Sequence, residues 1–201
     1  MIPIVLASAS PRRRALLEAL GIDAIVQVSG AAESLEGAPK DVALGNAVAK
    51  RDDVARQIAK SAIVVGADTI VVLEERIMGK PADLDEARHM LRLLSGKRHE
   101  VLTGVAVVNT DSGQEAGGVE RTAVTFRTLS EEHIERFVEA VRPLDRAGAY
   151  TVDGPGSLLV ARYEGCYQNV LGLPIVLLDT LLVGLGDGLF GRMRADAARF
   201  L

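Results

Sequence analysis

The order of apolar and polar positions divides the chain into alternating short strands and amphipathic helices. Residues 2–7 form a β-branched apolar run that predicts a buried strand. Ser10 then stands before Pro11 as an N-cap with proline at the first helical position, and the helix runs to about Leu20, where Gly21 closes it. A second strand is predicted near residues 25–28, and a helix opened by Pro39 reaches about Ala59. Residues 62–73 are almost continuously apolar and read as a central strand or a strand pair. Asp83 caps the next helix with Glu86 at the capping-box position, and Leu84, Ala87, Leu91 and Leu94 form its buried stripe.

The second half predicts a hairpin. Residues 99–109 and 119–129 read as strands joined by the turn Asp111-Ser112-Gly113. Ser130 caps a helix carrying Ile134, Phe137, Val138 and Val141. Residues 145–156, rich in Gly and Pro, predict a functional loop or a set of tight turns. A strand at 158–163 and a last helix opened by Pro174 follow, then a Gly-rich and Arg-rich tail expected to be loosely attached. The fold class is α/β with a mixed sheet.

Composition narrows the function. The 201 residues are 48% apolar and 25% charged, which suits a globular chain that buries a core without disulfides. Aromatic residues make up 3%, and there is no Trp, so no stacking platform for single-stranded nucleic acid is expected. A net charge of −4 without a basic block argues against a DNA partner. The apolar N-terminus precedes its positive charges, and the run at 173–185 is interrupted by Asp179. Neither a signal peptide nor a membrane span is expected, and with one cysteine, Cys166, the location expected is cytoplasmic.

Several polar residues stand where apolar ones belong. Arg12, Arg13 and Arg14 occupy a helix's first turn, where the macrodipole is already positive. Ser8 to Arg14 therefore reads either as a phosphate cradle or as a solvated basic turn. Asp68 lies inside the apolar run at 63–73, where an unpartnered carboxylate is costly; the alternative is a strand-end break. Lys50 falls on the apolar stripe of Ala43, Ala47, Val54 and Ile58, so it either snorkels to solvent or points a cation into a cleft. Gly79-Lys80-Pro81 holds one lysine in a tight turn, and Glu33 is the sole charge of an otherwise uncharged stretch. His89, His99 and His133 lack metal-ligand spacing. One chemistry uses this inventory: carboxylates around Mg2+ or Mn2+, Arg and Lys on a polyphosphate, and an activated water.

The chain resembles the Maf proteins. The resemblance is carried by Ser8-Ala9-Ser10-Pro11-Arg12-Arg13, Lys50, Gly66-Ala67-Asp68-Thr69, Gly79-Lys80-Pro81, Thr103-Gly104, Asp145-Arg146-Ala147-Gly148-Ala149-Tyr150 and Val170-Leu171-Gly172-Leu173-Pro174. It runs from about residue 2 to residue 182. It implies a two-lobed mixed sheet enclosing a cleft, similar to the inosine triphosphate pyrophosphatases, within one domain at 1–186, a tail at 187–201, and a homodimer. It also implies cleavage of nucleoside triphosphates to monophosphate and pyrophosphate with Mg2+ or Mn2+. Asp68 would be the general base or a metal-bound carboxylate, and Glu33 its metal-binding partner. Ser8, Arg12, Arg13, Lys50 and Lys80 would hold the triphosphate. Arg12 and Thr69 resemble the subgroup acting on dTTP and UTP.

The chain also departs from that subgroup. Asp153 replaces its usual Gln, cannot donate the hydrogen bonds of an amide, and adds charge beside a polyphosphate. This keeps 7-methyl-GTP, CTP or another modified nucleotide as alternative substrates. Arg146 replaces a common Lys, and Arg51 replaces a small residue, read as a surface change. The family's association with septum formation implies a further alternative, a nucleotide-binding regulator of cell division.

Overall fold

The computed structural model describes residues 1–195, so 196–201 of the expected tail lie outside the described residues. The chain folds as β1 Ile4–Ala7, α1 Pro11–Ala19, β2 Ala24–Val26, α2 Pro39–Ala55, β3 Ile63–Leu73, β4 Arg76–Met78 and α3 Leu84–Leu94. It continues as β5 Arg98–Asn109, β6 Glu115–Phe126, α4 Glu131–Val141, β7 Val160–Glu164, α5 Tyr167–Leu171 and α6 Ile175–Gly184. The expected α/β class and hairpin are present. The 62–73 run is one strand, while β4 and α5 are short elements beyond those predicted. α2 ends at Ala55, short of the expected 59. Gln57 and Ile58 donate backward to Val54 and Ala55 in turns that return the chain towards β3.

Seven strands form one mixed sheet in the order β2-β1-β3-β5-β6-β7, with β4 also pairing β3. The branching of β3 matters most for the site. Its start pairs in parallel with β1 as far as Ala7 opposite Gly66, and its end pairs with β4 from Val71 opposite Met78. Between those partners residues 67–70 have one open edge, while their other edge is paired to β5. Asp68 and Thr69 lie in that gap, and Ser8 follows directly from the end of β1.

Period-2 alternation sends Gly66, Asp68, Ile70 and Val72 to one face of β3 and Ala67, Thr69 and Val71 to the other. The first face meets α2 at unusually close range. A Cβ on Gly66 would lie 2.1 Å from the Ala47 carbonyl oxygen, and one on Gly104 would lie 2.2 Å from that of Ala43. Glycine at both positions lets the helix backbone rest on the sheet. That contact brings Asn46 and Lys50, on the same helical stripe, down to Asp68. The other face packs against the main core, which includes Leu17, Val71, Leu91, Phe137 and Leu178.

Two sequence expectations change. Arg51 is buried, not a surface change: its guanidinium pairs with Glu115 of β6 at 2.7 Å and donates to the Val107 carbonyl. The start of the tail is held, because Leu189 is buried, its N–H donates to Asp179, and the Arg194 N–H donates to the Gly21 carbonyl.

His99 is buried in an edge-to-face cluster with Phe126 and Tyr150, ring centroids 5.0 and 5.5 Å away, and its Nε2 lies 2.8 Å from the Tyr150 hydroxyl. Burial pushes its imidazole down from 6.5 to about 4. Between those values the unfolded chain binds a proton that the fold refuses, so stability is full above pH 6.5 and is lost as pH falls towards 4. That shift corresponds to about 3 kcal/mol. A His99→Gln variant is expected to flatten this part of the stability profile, read from urea midpoints between pH 7 and pH 4; an unchanged slope would remove His99 as its cause.

Candidate active site

The gap beside β3 opens into a cleft of about 410 Å3, the larger part of whose polar lining comes from residues singled out in the sequence. Ser8, Arg12, Arg13, Glu33, Lys50, Asp68, Thr69 and Lys80 all border it. Asp153 does not. It starts the 3-10 turn Gly154–Leu158, is exposed, and accepts a hydrogen bond from its own neighbour Thr151.

At the centre, the Lys50 ammonium donates to Glu33 Oε1 and to Asp68 Oδ1, both at 2.6 Å. Lys80 donates to the other Glu33 oxygen at 2.9 Å. Lys50 therefore does not snorkel: its side chain is 12% exposed and that of Asp68 is 8% exposed. Burial raises the Glu33 carboxyl, but the two lysines outweigh it and hold the group down to about 2. Asn46 completes the set, donating to Asp68 Oδ2 at 2.9 Å.

The three arginines of α1 separate according to helical geometry. Arg14 turns to solvent and pairs with Glu18. Arg13 is buried and ties three segments together, donating to Ser8 Oγ at 2.9 Å, Thr69 Oγ1 at 3.1 Å and the Gly172 carbonyl at 2.7 Å. Burial lowers its pKa, partly offset by Asp68. The expected Ser10 side-chain cap is not made; instead the Ser10 N–H donates to Ser8 Oγ. Thr69 also shares a 2.9 Å hydrogen bond with Thr103, whose hydroxyl donates to the Asn169 carbonyl.

Arg12 is the informative one. Among the described residues it has no ion-pair partner, and burial lowers its pKa, reinforced by the charge of Arg146 across the cleft. Arg146 holds Asp145 at 3.3 Å while its buried Nε has no partner. Two guanidiniums lining one cavity suit a bound anion, although Asp145 and Asp153 offset part of their charge. Replacing Arg12 with Ala is thus expected to cost kcat/KM for a triphosphate about 10- to 150-fold, the worth of one charged hydrogen bond. Its urea midpoint should stay the same or rise. A lowered midpoint with unchanged kcat/KM would make Arg12 structural.

Sequence reasoning missed Asn46 as a site residue, because an asparagine on a helix carries no signal until its partners are known. Arg146 was visible as a retained charge, without a role. Among the described residues no group of three or more His, Cys, Asp and Glu could hold a metal, and no helix is long and apolar enough to cross a membrane.

A family model described as Maf-like protein matches residues 3–185. The dTTP/UTP pyrophosphatase of Moorella thermoacetica is 48% identical over 197 residues, covering 96% of this chain and 100% of its own. That of Bacillus cereus is 46% identical over 174 residues, covering 86% of this chain and 90% of its own. Among solved structures, a nucleoside-triphosphatase (dITP/XTP pyrophosphatase) from Mycobacterium abscessus is 15% identical, with a TM-score of 0.41 over 72% of this chain and 96% of its own.

Proposed function

The chain belongs to the Maf-like protein family, and from that premise we propose that it hydrolyses dTTP and UTP to the monophosphate and pyrophosphate. The observation that carries this reading is the Glu33–Lys50–Asp68 bridge at the open edge of β3, in one cleft with Arg12, which has no ion-pair partner among the described residues, and Arg146. Carboxylates that would activate water and cations that would hold phosphates meet there in one cavity.

Glu33 and Asp68 fit a hard divalent cation, Mg2+ or Mn2+. Their oxygens already converge on one positive charge, the Lys50 ammonium. Two carboxylates leave the remaining positions to water and substrate phosphate, as Mg2+ prefers. When bound, such an ion supplies Lewis-acid polarisation of the phosphate oxygens.

The side chains supply the rest. Asp68 accepts the proton of the attacking water, whose oxygen forms the new bond to phosphorus. The anhydride bond between the α- and β-phosphates breaks, and its electron pair leaves on pyrophosphate. Lys50, Lys80, Arg12 and Arg146 neutralise the charge that gathers on the phosphate oxygens. Ser8 and Arg13 shape the cradle, with guanidinium donors of Arg13 to spare. Tyr150, Val71 and Val101 line the cleft and would offer apolar surface to the base.

Asp153 lies on an exposed turn outside the cleft lining. The relatives named for dTTP and UTP weigh for those two over 7-methyl-GTP and CTP. A screen of purified protein with Mg2+ or Mn2+ is expected to give the highest kcat/KM with dTTP and UTP. Turnover confined to 7-methyl-GTP or CTP would transfer the base preference to Asp153, and nucleotide binding without turnover would favour a regulator.

A further inference from the structure

Asn46 makes three side-chain hydrogen bonds behind the cleft, one of them to Asp68. It sits on α2 one turn before Lys50, is 4% exposed, and lies over the open stretch of β3. Its Nδ2 donates to Asp68 Oδ2 and to the Ser34 carbonyl, both at 2.9 Å, and its Oδ1 accepts the Ser34 N–H at 2.8 Å. The orientation of the amide follows from these partners. A flipped amide would set its oxygen against a carboxylate and a carbonyl and its NH2 against an N–H.

Ser34 is the neighbour of Glu33 in a segment, 27–38, that contains no helix or strand. That loop is held by few side chains. Asp53 accepts from Ser29 Oγ and the Gly30 N–H at its start, and Asn46 grips both backbone groups of Ser34. The lysines also bridge Glu33, but their ammonium groups are the ones a triphosphate would draw away. Asn46 carries no charge, so an incoming polyphosphate competes for it far less.

Building on the proposed role of Asp68, we infer that Asn46 is a positioning residue that sets the spacing of the two carboxylates. One amide fixes the rotation of Asp68 and, through Ser34, the place of Glu33 along its loop. The separation of the acidic pair is then independent of Lys50 and Lys80, which are left free to follow the phosphates. Misplacing a reacting group by about 1 Å costs on the order of 100-fold in rate, and Asn46 is the contact that prevents it.

Asn46→Ala is expected to lower kcat for pyrophosphate release from dTTP with Mg2+ by about 100-fold, with KM changed less than about threefold because the phosphate-binding cations remain. Assays well below the melting temperature of each variant separate this from instability. A stability cycle, which needs no substrate or metal, gives an independent readout. Asn46→Asp sets two carboxylates together and should lower the melting temperature; adding Asp68→Asn restores a donor facing an acceptor and should recover part of that loss, the contact to the Ser34 carbonyl staying broken. The double variant should stay as inactive as Asp68→Asn alone. Full kcat in Asn46→Ala, or melting-temperature losses that simply add in the double variant, would overturn the inference. Absence of turnover in the unsubstituted protein would instead strike the proposed function, while the stability cycle would still report on the link between Asn46 and Asp68.

Discussion

Asp68→Asn is expected to reduce pyrophosphate release by about 100- to 10,000-fold, the usual contribution of a general base, while dTTP binding without metal stays within a few-fold. The substitution keeps the shape of the side chain and removes its basicity and its charge. Lys50 retains Glu33 at 2.6 Å, so the cluster keeps an ion pair. The new NH2 faces a donor, Asn46 Nδ2 or the Lys50 ammonium, so the urea midpoint should fall and both assays are run well below it. In the proposed function phosphate affinity comes from Arg12, Arg146, Lys50 and Lys80, none of which is altered. Isothermal titration with dTTP and a coupled pyrophosphate assay at saturating Mg2+ separate the two effects. Full turnover in this variant would remove Asp68 from the reaction; loss of binding equal to the loss of turnover would make it a substrate-holding group.

Lys50→Met is the second large effect, and it differs in kind because it strikes stability as well as activity. The lysine side chain is 12% exposed and joins two carboxylates that otherwise face one another. Removing one partner of a buried ion pair leaves an uncompensated charge, at a cost of about 3–5 kcal/mol. The urea midpoint at pH 7 should therefore fall, and turnover should fall with it. Stability should recover in part when Mg2+ is added, since a divalent ion offers the carboxylates a replacement charge. That recovery separates a site built to hold a cation from one in which lysine is only a strut. A midpoint unaffected by Lys50→Met, or by Mg2+ in the variant, would contradict this picture of the acidic pair.

Much of this arrangement was legible in the sequence because burial makes polarity expensive. Asp68 inside 63–73 reads as a partnered carboxylate or a strand-end break, and Lys50 on an apolar stripe as a snorkelling side chain or a cation in a cleft. The first alternative holds for Asp68, the second for Lys50, and the two pair with each other. The capping signals at Asp83 and Ser130 also located their helices, with both side chains accepting the expected N–H. Long-range geometry stayed hidden. Nothing local in Gly66 or Gly104 says that a helix backbone will lie on them, and nothing in Asn46 names a carboxylate 22 residues away. β4 has three residues and α5 five, too short for a periodic signal. Arg51 reads as a surface residue because, besides its neighbour Asp52, its ion-pair partner is Glu115 at the start of β6, 64 residues on. Asp153 stood out only as a departure from the family's pattern, and its carboxylate turns back on Thr151 outside the cleft lining.

The decisive measurement is product analysis of dTTP hydrolysis by the purified protein in Mg2+, resolving dTMP, dTDP, pyrophosphate and phosphate. Equal amounts of dTMP and pyrophosphate, with no dTDP at any time, is the expected result. Accumulation of dTDP with free phosphate would mean that the cleft presents the terminal phosphate to Asp68, and would contradict the proposed chemistry of the site.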